Sequence, residues 1–247
     1  MKRTVTGEMK YAPKRRKYSK AKASRVPAGV KDYVRQAVHA GRELKTAQPT
    51  RVTFPAGISN TLTVTDLMPL IANNSLVSGR VGNKVRVKKA YLRLNITLRE
   101  QTAANNAGPI YFDIYIVKNR AQGTAPGLID FLDLGSAGTP YDSSTNPSCG
   151  LLDVNTDLVQ QKFRKRILLY NVEQNTGLTA SGGTMPAHDM YIDCTKYLKD
   201  SWIWNDAAGF PTNDNLFLCL GASAAVGGVA GALGQFTSAF HVKYEDA

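Results

Sequence analysis

The chain has 247 residues and a formal net charge of +12, from 31 lysines and arginines against 19 acids. That length suits one large domain without disulfide staples, and a hydrophobic content of 43% is ordinary for a globular protein. The three cysteines form no Cys-x-x-Cys pair, which argues against a zinc knuckle and favours free, buried thiols in a reducing compartment.

Positive charge is concentrated in residues 1–31. This segment holds eleven lysines and arginines against one acid, Glu8, so it carries +10 of the total and leaves only +2 for the remaining residues. It contains few large aliphatic side chains, so residues 1–26 are predicted to stay disordered without a partner. A polycation of this kind requires a polyanion. The side chains that we expect to bind nucleic acid are Lys2, Arg3, Lys10, Lys14, Arg15, Arg16, Lys17, Lys20, Lys22, Arg25 and Lys31.

Two basic groups in this segment match a bipartite nuclear import signal. The pattern is a basic pair, ten intervening residues and a basic quartet, made by Lys2, Arg3, Lys14, Arg15, Arg16 and Lys17. The same residues also fit plain nucleic-acid binding. Tyr11 and Tyr18 lie among these cations, where an aromatic ring either stacks on an unpaired base or is incidental.

Residues 30–45 are predicted to form an amphipathic helix, because their apolar residues recur at helical spacing and Gly41 is a suitable end. We divide the chain into a basic arm, residues 1–31, and a body, residues 32–247. The body changes to strand-like patterns after Pro49. Its predicted strands are 51–54, 60–65, 84–98, 110–117, 163–171, 189–198, 215–220 and 236–244.

In residues 84–98 the apolar positions change parity near 88–90, which predicts a β-bulge. One further short helix is predicted at 128–134, and the long polar loops at 119–150 and 171–188 are expected to meet neighbouring molecules. About eight strands with long loops predict an all-β, two-sheet sandwich behind the disordered basic arm, and jelly rolls manage their sheet edges in this way.

No membrane partner is expected. Residues 216–234 are uncharged and almost long enough to span a bilayer, but more than half of them are Gly, Ala or Ser. We interpret this stretch as the end of one strand, a turn and the approach to the next. The charged first thirty residues contain no apolar run, so no secretory signal is expected.

No catalytic constellation is recognisable, so we expect a non-enzymatic protein with no cofactor and no metal. The histidines have no second ligand at metal spacing and are interpreted as structural or exposed: His39, His188 and His241. His241 falls on the polar, outward parity of the last predicted strand. An enzyme would require His188 and Asp189 to face a pocket with Cys194. Two acid pairs could bind a divalent ion but are commoner as solvated caps: Asp130 with Asp133, and Asp153 with Asp157.

The body contains two basic clusters. One is Lys84, Arg86, Lys88, Lys89 and Arg93, and the other is Lys162, Arg164, Lys165 and Arg166. They either line a surface that faces nucleic acid or are solvated strand faces paired with acids.

The basic arm, VKDYVRQAVHAGRELK at 30–45 and SGRVGNKVRVKKAYLRL at 78–94 together resemble the capsid proteins of small circular single-stranded DNA viruses, the circovirus-like group. The most specific matches are Val-Lys-x-Tyr-Val…Glu-x-Lys at 30–45 and Arg-x-Gly-Asn-Lys-Val at 80–85. The resemblance covers about the first 120 residues. The arm departs from the familiar circoviral pattern, because it mixes lysine with arginine and has no unbroken arginine run.

The resemblance implies an eight-stranded jelly roll and an icosahedral shell of identical subunits, with residues 32–247 as the shell domain. In the virion, the arm would point inward onto a packaged single-stranded DNA genome. During assembly, the protein would be in the host nucleus, with host import receptors as further partners. Two alternatives remain open. One is the coat protein of a small RNA virus or satellite, since phosphate-binding cations ignore the sugar. The other is a non-viral nucleic-acid-binding β module.

Overall fold

The computed structural model describes residues 29–31, 44–73, 79–99, 109–121, 124–135, 137–170, 186–199, 201–205, 210–224 and 232–246. The chain divides into two units, residues 1–42 and 43–247. In the first unit only 29–31 are described, and they are helical and exposed. The predicted disorder of 1–26 and the predicted arm boundary at 31 therefore fall largely outside the described residues and stay predictions.

The regular secondary structure described in the second unit consists almost entirely of strands. They are β1 (Lys45–Thr46), β2 (Thr50–Ser59), β3 (Thr63–Asp66), β4 (Lys84–Leu98), β5 (Ile110–Asn119), β6 (Leu132–Asp133), β7 (Gly138–Thr139), β8 (Val159–Leu169), β9 (Ala187–Asp193), β10 (Ser201–Ile203), β11 (Phe217–Ala224) and β12 (Ala232–Asp246). Two short 3-10 helices, Cys149–Leu151 and Thr195–Tyr197, lie between them. Lys45 belongs to β1, whereas residues 32–43, which hold most of the predicted helix and its predicted end at Gly41, lie outside the described residues.

The eight long strands pair in two antiparallel sheets. Sheet I has the order β2-β12-β4-β9, with β1 beside β12 and β10 beside β4, and sheet II has the order β3-β11-β5-β8. When the long strands are counted one to eight along the chain, these orders are 1-8-3-6 and 2-7-4-5. That is the strand order of a jelly roll, so the predicted all-β jelly-roll sandwich is confirmed.

The predicted β-bulge in β4 is also confirmed. In the pairing of β4 with β12, Lys89 opposes Lys243 but Val87 opposes Tyr244, so Lys88 is the extra residue. Val85 and Val87 point into the core before the bulge, and the even-numbered positions from Ala90 onward do so after it. The bulge therefore keeps both apolar sets of this long strand in the core.

Residues 128–134 do not form the predicted helix. They make a turn and then β6, which pairs with β7, while Leu132 also bridges to Val154. Phe131 and Leu132, which are adjacent, are both fully buried. The loop between β5 and β8 instead packs its apolar residues onto the outer face of sheet II, forming a second hydrophobic cluster separate from the core between the sheets.

No helix among the described residues is long and apolar enough to cross a membrane. Residues 216–224 and 232–234 of the uncharged stretch belong to or lead into β11 and β12, as predicted, whereas 225–231 lie outside the described residues.

Candidate nucleic-acid interface

The predicted cations of the arm lie almost entirely outside the described residues. Lys31 is the exception and is exposed in the helical segment 29–31. The other ten predicted nucleic-acid contacts, including all six of the predicted import signal, fall in the undescribed part: Lys2, Arg3, Lys10, Lys14, Arg15, Arg16, Lys17, Lys20, Lys22 and Arg25. Their roles stay predictions.

The basic cluster at 162–166 lies on β8 in sheet II, where its two arginines are paired with acids. Arg166 Nε lies 3.0 Å from the fully buried Asp113 Oδ1, and Arg164 Nη1 lies 3.2 Å from Asp153 Oδ1. Arg164 Nη2 also donates to the carbonyl of Gly150 at 2.7 Å. Since these bonds join β8 to β5 and to the overlying loop, we assign the two arginines a structural role.

Asp113 is the centre of this structural network. The Tyr141 hydroxyl donates to Asp113 Oδ2 at 2.7 Å, and Arg166 Nη2 donates to the same oxygen at 3.2 Å. Burial raises the pKa of the Asp113 carboxyl, and the hydrogen bond from Tyr141 and the charge of Arg166 oppose that rise. Burial also raises the pKa of Tyr115 and Tyr141, so both phenols stay protonated.

The basic cluster at 84–93 lies on the outer face of sheet I, and its members differ in their partners. Lys88 Nζ lies 3.0 Å from Glu245 Oε2, so this lysine is paired. Lys84, Lys89 and Arg93 are exposed. The cluster therefore contains one lysine that is paired with an acid at the bulge, Lys88, and three cations that are exposed to solvent, Lys84, Lys89 and Arg93.

Strand register places further residues beside Lys89 and Arg93. One cross-strand row runs Arg51, Ala239, Arg93, Tyr191 over β2, β12, β4 and β9. The next row runs His241, Tyr91, Asp193, and the one after it pairs Lys243 with Lys89. We call the four exposed cations of these rows the cationic face: Arg51, Lys89, Arg93 and Lys243.

Three rings lie among these cations and form what we call the aromatic stack: Tyr191, Tyr91 and His241. The Tyr91 and Tyr191 centroids are 5.2 Å apart with an interplanar angle of 28°. The Tyr91 and His241 centroids are 4.7 Å apart at 10°. Lys89 Nζ and Arg93 Cζ each lie 5.8 Å from the Tyr91 ring centroid, within the range of cation–π contacts.

The acids on this face are engaged with other residues. Asp189 accepts a 2.7 Å hydrogen bond from Asn95, and Asp193 accepts one of 2.9 Å from the backbone N–H of Thr195. Hydrogen bonds from Thr195, and to a smaller extent the charges of Lys89 and Lys196, hold the pKa of the Asp193 carboxyl below its ordinary value. Within the described residues, no member of the cationic face forms an ion pair.

The electrostatics of His241 fit an excess of positive charge. Burial lowers its pKa, and the charges of Arg93 and Arg51 lower it further. The ring is therefore neutral at pH 7 and stacks on Tyr91 as an uncharged imidazole. The sequence placed His241 on the outward parity of β12, which the structure confirms.

The residues of the alternative enzymatic reading do not form a constellation. The Cys194 thiol is buried and donates to the carbonyl of Ile192 at 3.6 Å, while His188 Nε2 lies 3.4 Å from Lys165 Nζ. Burial raises the pKa of Cys194 to about 12. A cavity of about 450 Å³ is lined by Lys118 and Asp214 among others, and neither His188 nor Cys194 reaches it.

All three cysteines are free and buried, as predicted. Within the described ranges, no group of three or more His, Cys, Asp or Glu side chains could hold a metal ion. Of the predicted acid pairs, Asp133 accepts a hydrogen bond from the backbone of Gly135, and Asp153 contacts Arg164.

No protein-family model matches the chain, and no curated protein matches it. Among solved structures, it is similar to a chain of desmodium yellow mottle tymovirus, with 12% identity over 83% of this chain and 88% of that one and a TM-score of 0.34. These values are too low to assign a family.

Proposed function

We propose that this chain is a viral coat protein that assembles into an icosahedral shell of identical subunits and packages single-stranded DNA through the basic arm, residues 1–31. The observation that carries the proposal is the division of charge between a +10 segment and a nearly neutral jelly-roll body. A neutral body avoids like-charge repulsion between neighbouring subunits, and phosphate cancels the charge of the arm.

The arm supplies affinity without sequence preference. If all ten net charges contact phosphates of a single strand, log K falls with log salt with a slope of about −7, and fewer contacts give a shallower slope. The protein acts without catalysis or cofactor. It resides in the virion and, during assembly, in the host nucleus, which it enters after import receptors bind the basic pattern from Lys2 to Lys17.

Deletion of residues 1–25 tests the role of the arm. We expect the truncated chain to fold and to form particles in electron micrographs that carry far less nucleic acid than full-length particles, measured by the absorbance ratio at 260 and 280 nm. Truncated particles with an unchanged nucleic-acid load would contradict the proposal.

Two further measurements separate the alternatives. Digestion of the co-purifying nucleic acid with DNase or RNase distinguishes a DNA virus from a small RNA virus or satellite, and the import pattern favours DNA. Gel filtration distinguishes a shell from a non-viral binding module, because a peak near the 26.8 kDa monomer would argue against any shell.

A further inference from the structure

We infer that the outer face of sheet I is a second nucleic-acid site, in which unpaired bases bind the aromatic stack and the flanking phosphates bind Arg51 and Arg93. The folded body then selects single-stranded over double-stranded nucleic acid, a selection that phosphate-binding cations of the arm do not make. The inference rests on the proposed function only in taking nucleic acid as the ligand.

The stack offers rings in a suitable arrangement for a base. Tyr91 lies between Tyr191 and His241, with centroid separations of 5.2 and 4.7 Å and small interplanar angles. Tyr191 is 57% exposed, so the β9 end of the stack is accessible to a ligand. Proteins that bind single strands without sequence preference place such rings beside cations, because every base has a π-face.

Two arginines are positioned to follow the backbone of a bound strand. Arg51 and Arg93 occupy the same cross-strand row and are separated by Ala239, whose short side chain leaves the space between them open. Three adjacent strands place the two backbones about 10 Å apart. Both arginines are exposed and lower the pKa of His241, so their charges act together at the stack.

A duplex fits this face less well. Its bases are stacked on each other and paired, so their faces are not available to Tyr191, the exposed ring of the stack, unless the duplex opens. Phosphates alone would still contact Arg51, Arg93 and Lys89. The aromatic stack thus supplies the part of the affinity that depends on accessible bases, and the cations supply a part that does not.

The test uses the full-length chain and two oligonucleotides of equal length and charge, a 20-residue oligothymidylate and a 20-residue abasic strand. The wild type should bind the strand with bases about tenfold more tightly. Tyr91→Thr combined with Tyr191→Thr should abolish that difference while leaving affinity for the abasic strand unchanged. Tyr170→Thr is the matched control, since Tyr170 is exposed at the end of β8 in sheet II, and should retain the difference.

The outcomes separate this inference from the proposed function. A double variant that keeps the full preference for bases would overturn the inference and transfer the stacking to Tyr11 or Tyr18 of the arm. A wild type that binds both strands equally would overturn it too, while leaving packaging by phosphate contacts intact. A base preference in a chain that forms no particles would support the inference and refute the coat-protein proposal. If the double variant misfolds, Tyr191→Thr alone, on the edge strand β9, should lower the preference for the strand with bases. An unchanged preference in this single variant would overturn the inference.

Discussion

The outer faces of the two sheets differ in what covers them. In sheet II every residue of β11 is buried, because the core lies on one side of the strand and the loop between β5 and β8 lies on the other. In sheet I the corresponding central strand, β12, alternates between buried and accessible side chains along most of its length. One jelly roll therefore presents a covered face and an open one.

The covering loop is held by apolar and charged contacts. Phe131 packs edge-on against Tyr115 with centroids 5.5 Å apart, and Asp113 joins Tyr141 to Arg166 beneath the loop. These contacts use the two arginines of β8, Arg164 and Arg166, for structure. On the open face, by contrast, Asp189 and Asp193 are hydrogen-bonded to neutral partners, and the cationic face is left without an ion pair among the described residues.

The difference shows that a basic cluster in a strand acquires its role from the face that it occupies. Arg164 and Arg166 stabilise a buried contact, whereas Arg51 and Arg93, which have a similar chemistry, contribute little to packing. Mutations on the covered face should therefore affect stability, and mutations on the open face should affect binding.

The largest effect is expected from removing the apolar anchor of the loop. Phe131→Ala should lower the free energy of unfolding by about 3 to 5 kcal/mol, because it empties a fully buried site. Urea denaturation and protease cleavage within 120–158 would measure it. Ile129→Ala, at a side chain that is 77% exposed two residues earlier, is the control and should change neither. Equal effects of the two variants would mean that the loop does not cover sheet II.

Asp113→Asn should destabilise the chain by about 2 kcal/mol, because it removes the charged acceptor of Arg166 and Tyr141. Asp153→Asn is a close comparison, since Asp153 also contacts an arginine of β8 but its side chain is 94% exposed. That variant should cost less than about 1 kcal/mol. The midpoints of urea denaturation would compare the stability of the two variants. A greater loss of stability in Asp153→Asn than in Asp113→Asn would contradict the role of Asp113 as a buried anchor.

Arg51→Gln combined with Arg93→Gln should change the free energy of unfolding by no more than about 0.5 kcal/mol, since both side chains are exposed. The same variant should make the slope of log K against log salt for a single-stranded 20-mer shallower by about 1.4. Arg164→Gln combined with Arg166→Gln should show the reverse pattern, with lower stability and an unchanged slope. If the substitution of Arg51 and Arg93 leaves the slope unchanged, these two arginines do not contact the nucleic acid.

Most of the fold follows from strand patterns that the sequence displays. The alternation in β4, β5 and β12 is regular because each has one face on the core, and the parity change at residues 88–90 marks the bulge directly. The helix predicted at 128–134 was wrong because Phe131 and Leu132 pack on the outer face of sheet II. Local spacing does not report that contact, so the pattern resembles a helical one.

The open face was only partly predictable. The sequence grouped Lys89 and Arg93 and placed His241 on the outward parity, but it did not bring Tyr91, Tyr191 and Arg51 to them. Arg51 and His241 are 190 positions apart in the chain, and all of these residues meet through the register of four strands. The alternation of side chains along each long strand predicts which residues face outward. The order of the strands within the sheet, which decides which of those residues become neighbours, could not be predicted from the sequence.

The smallest effect is expected at His241, whose pKa is lowered by burial and then by Arg93 and Arg51. The unfolded chain therefore binds a proton at this histidine at a higher pH than the folded chain does. Its contribution to stability is present above the ordinary histidine pKa of about 6.5 and is lost as the pH falls through that value to the lowered one. Between pH 7.5 and pH 5.5, the melting temperature of His241→Asn should fall less than that of the wild type. Arg51→Gln combined with Arg93→Gln should also reduce the loss, because fewer positive charges then oppose protonation. If His241→Asn loses as much as the wild type, the cations of sheet I do not act on this ring, and the open face has a weaker positive potential than its residues indicate.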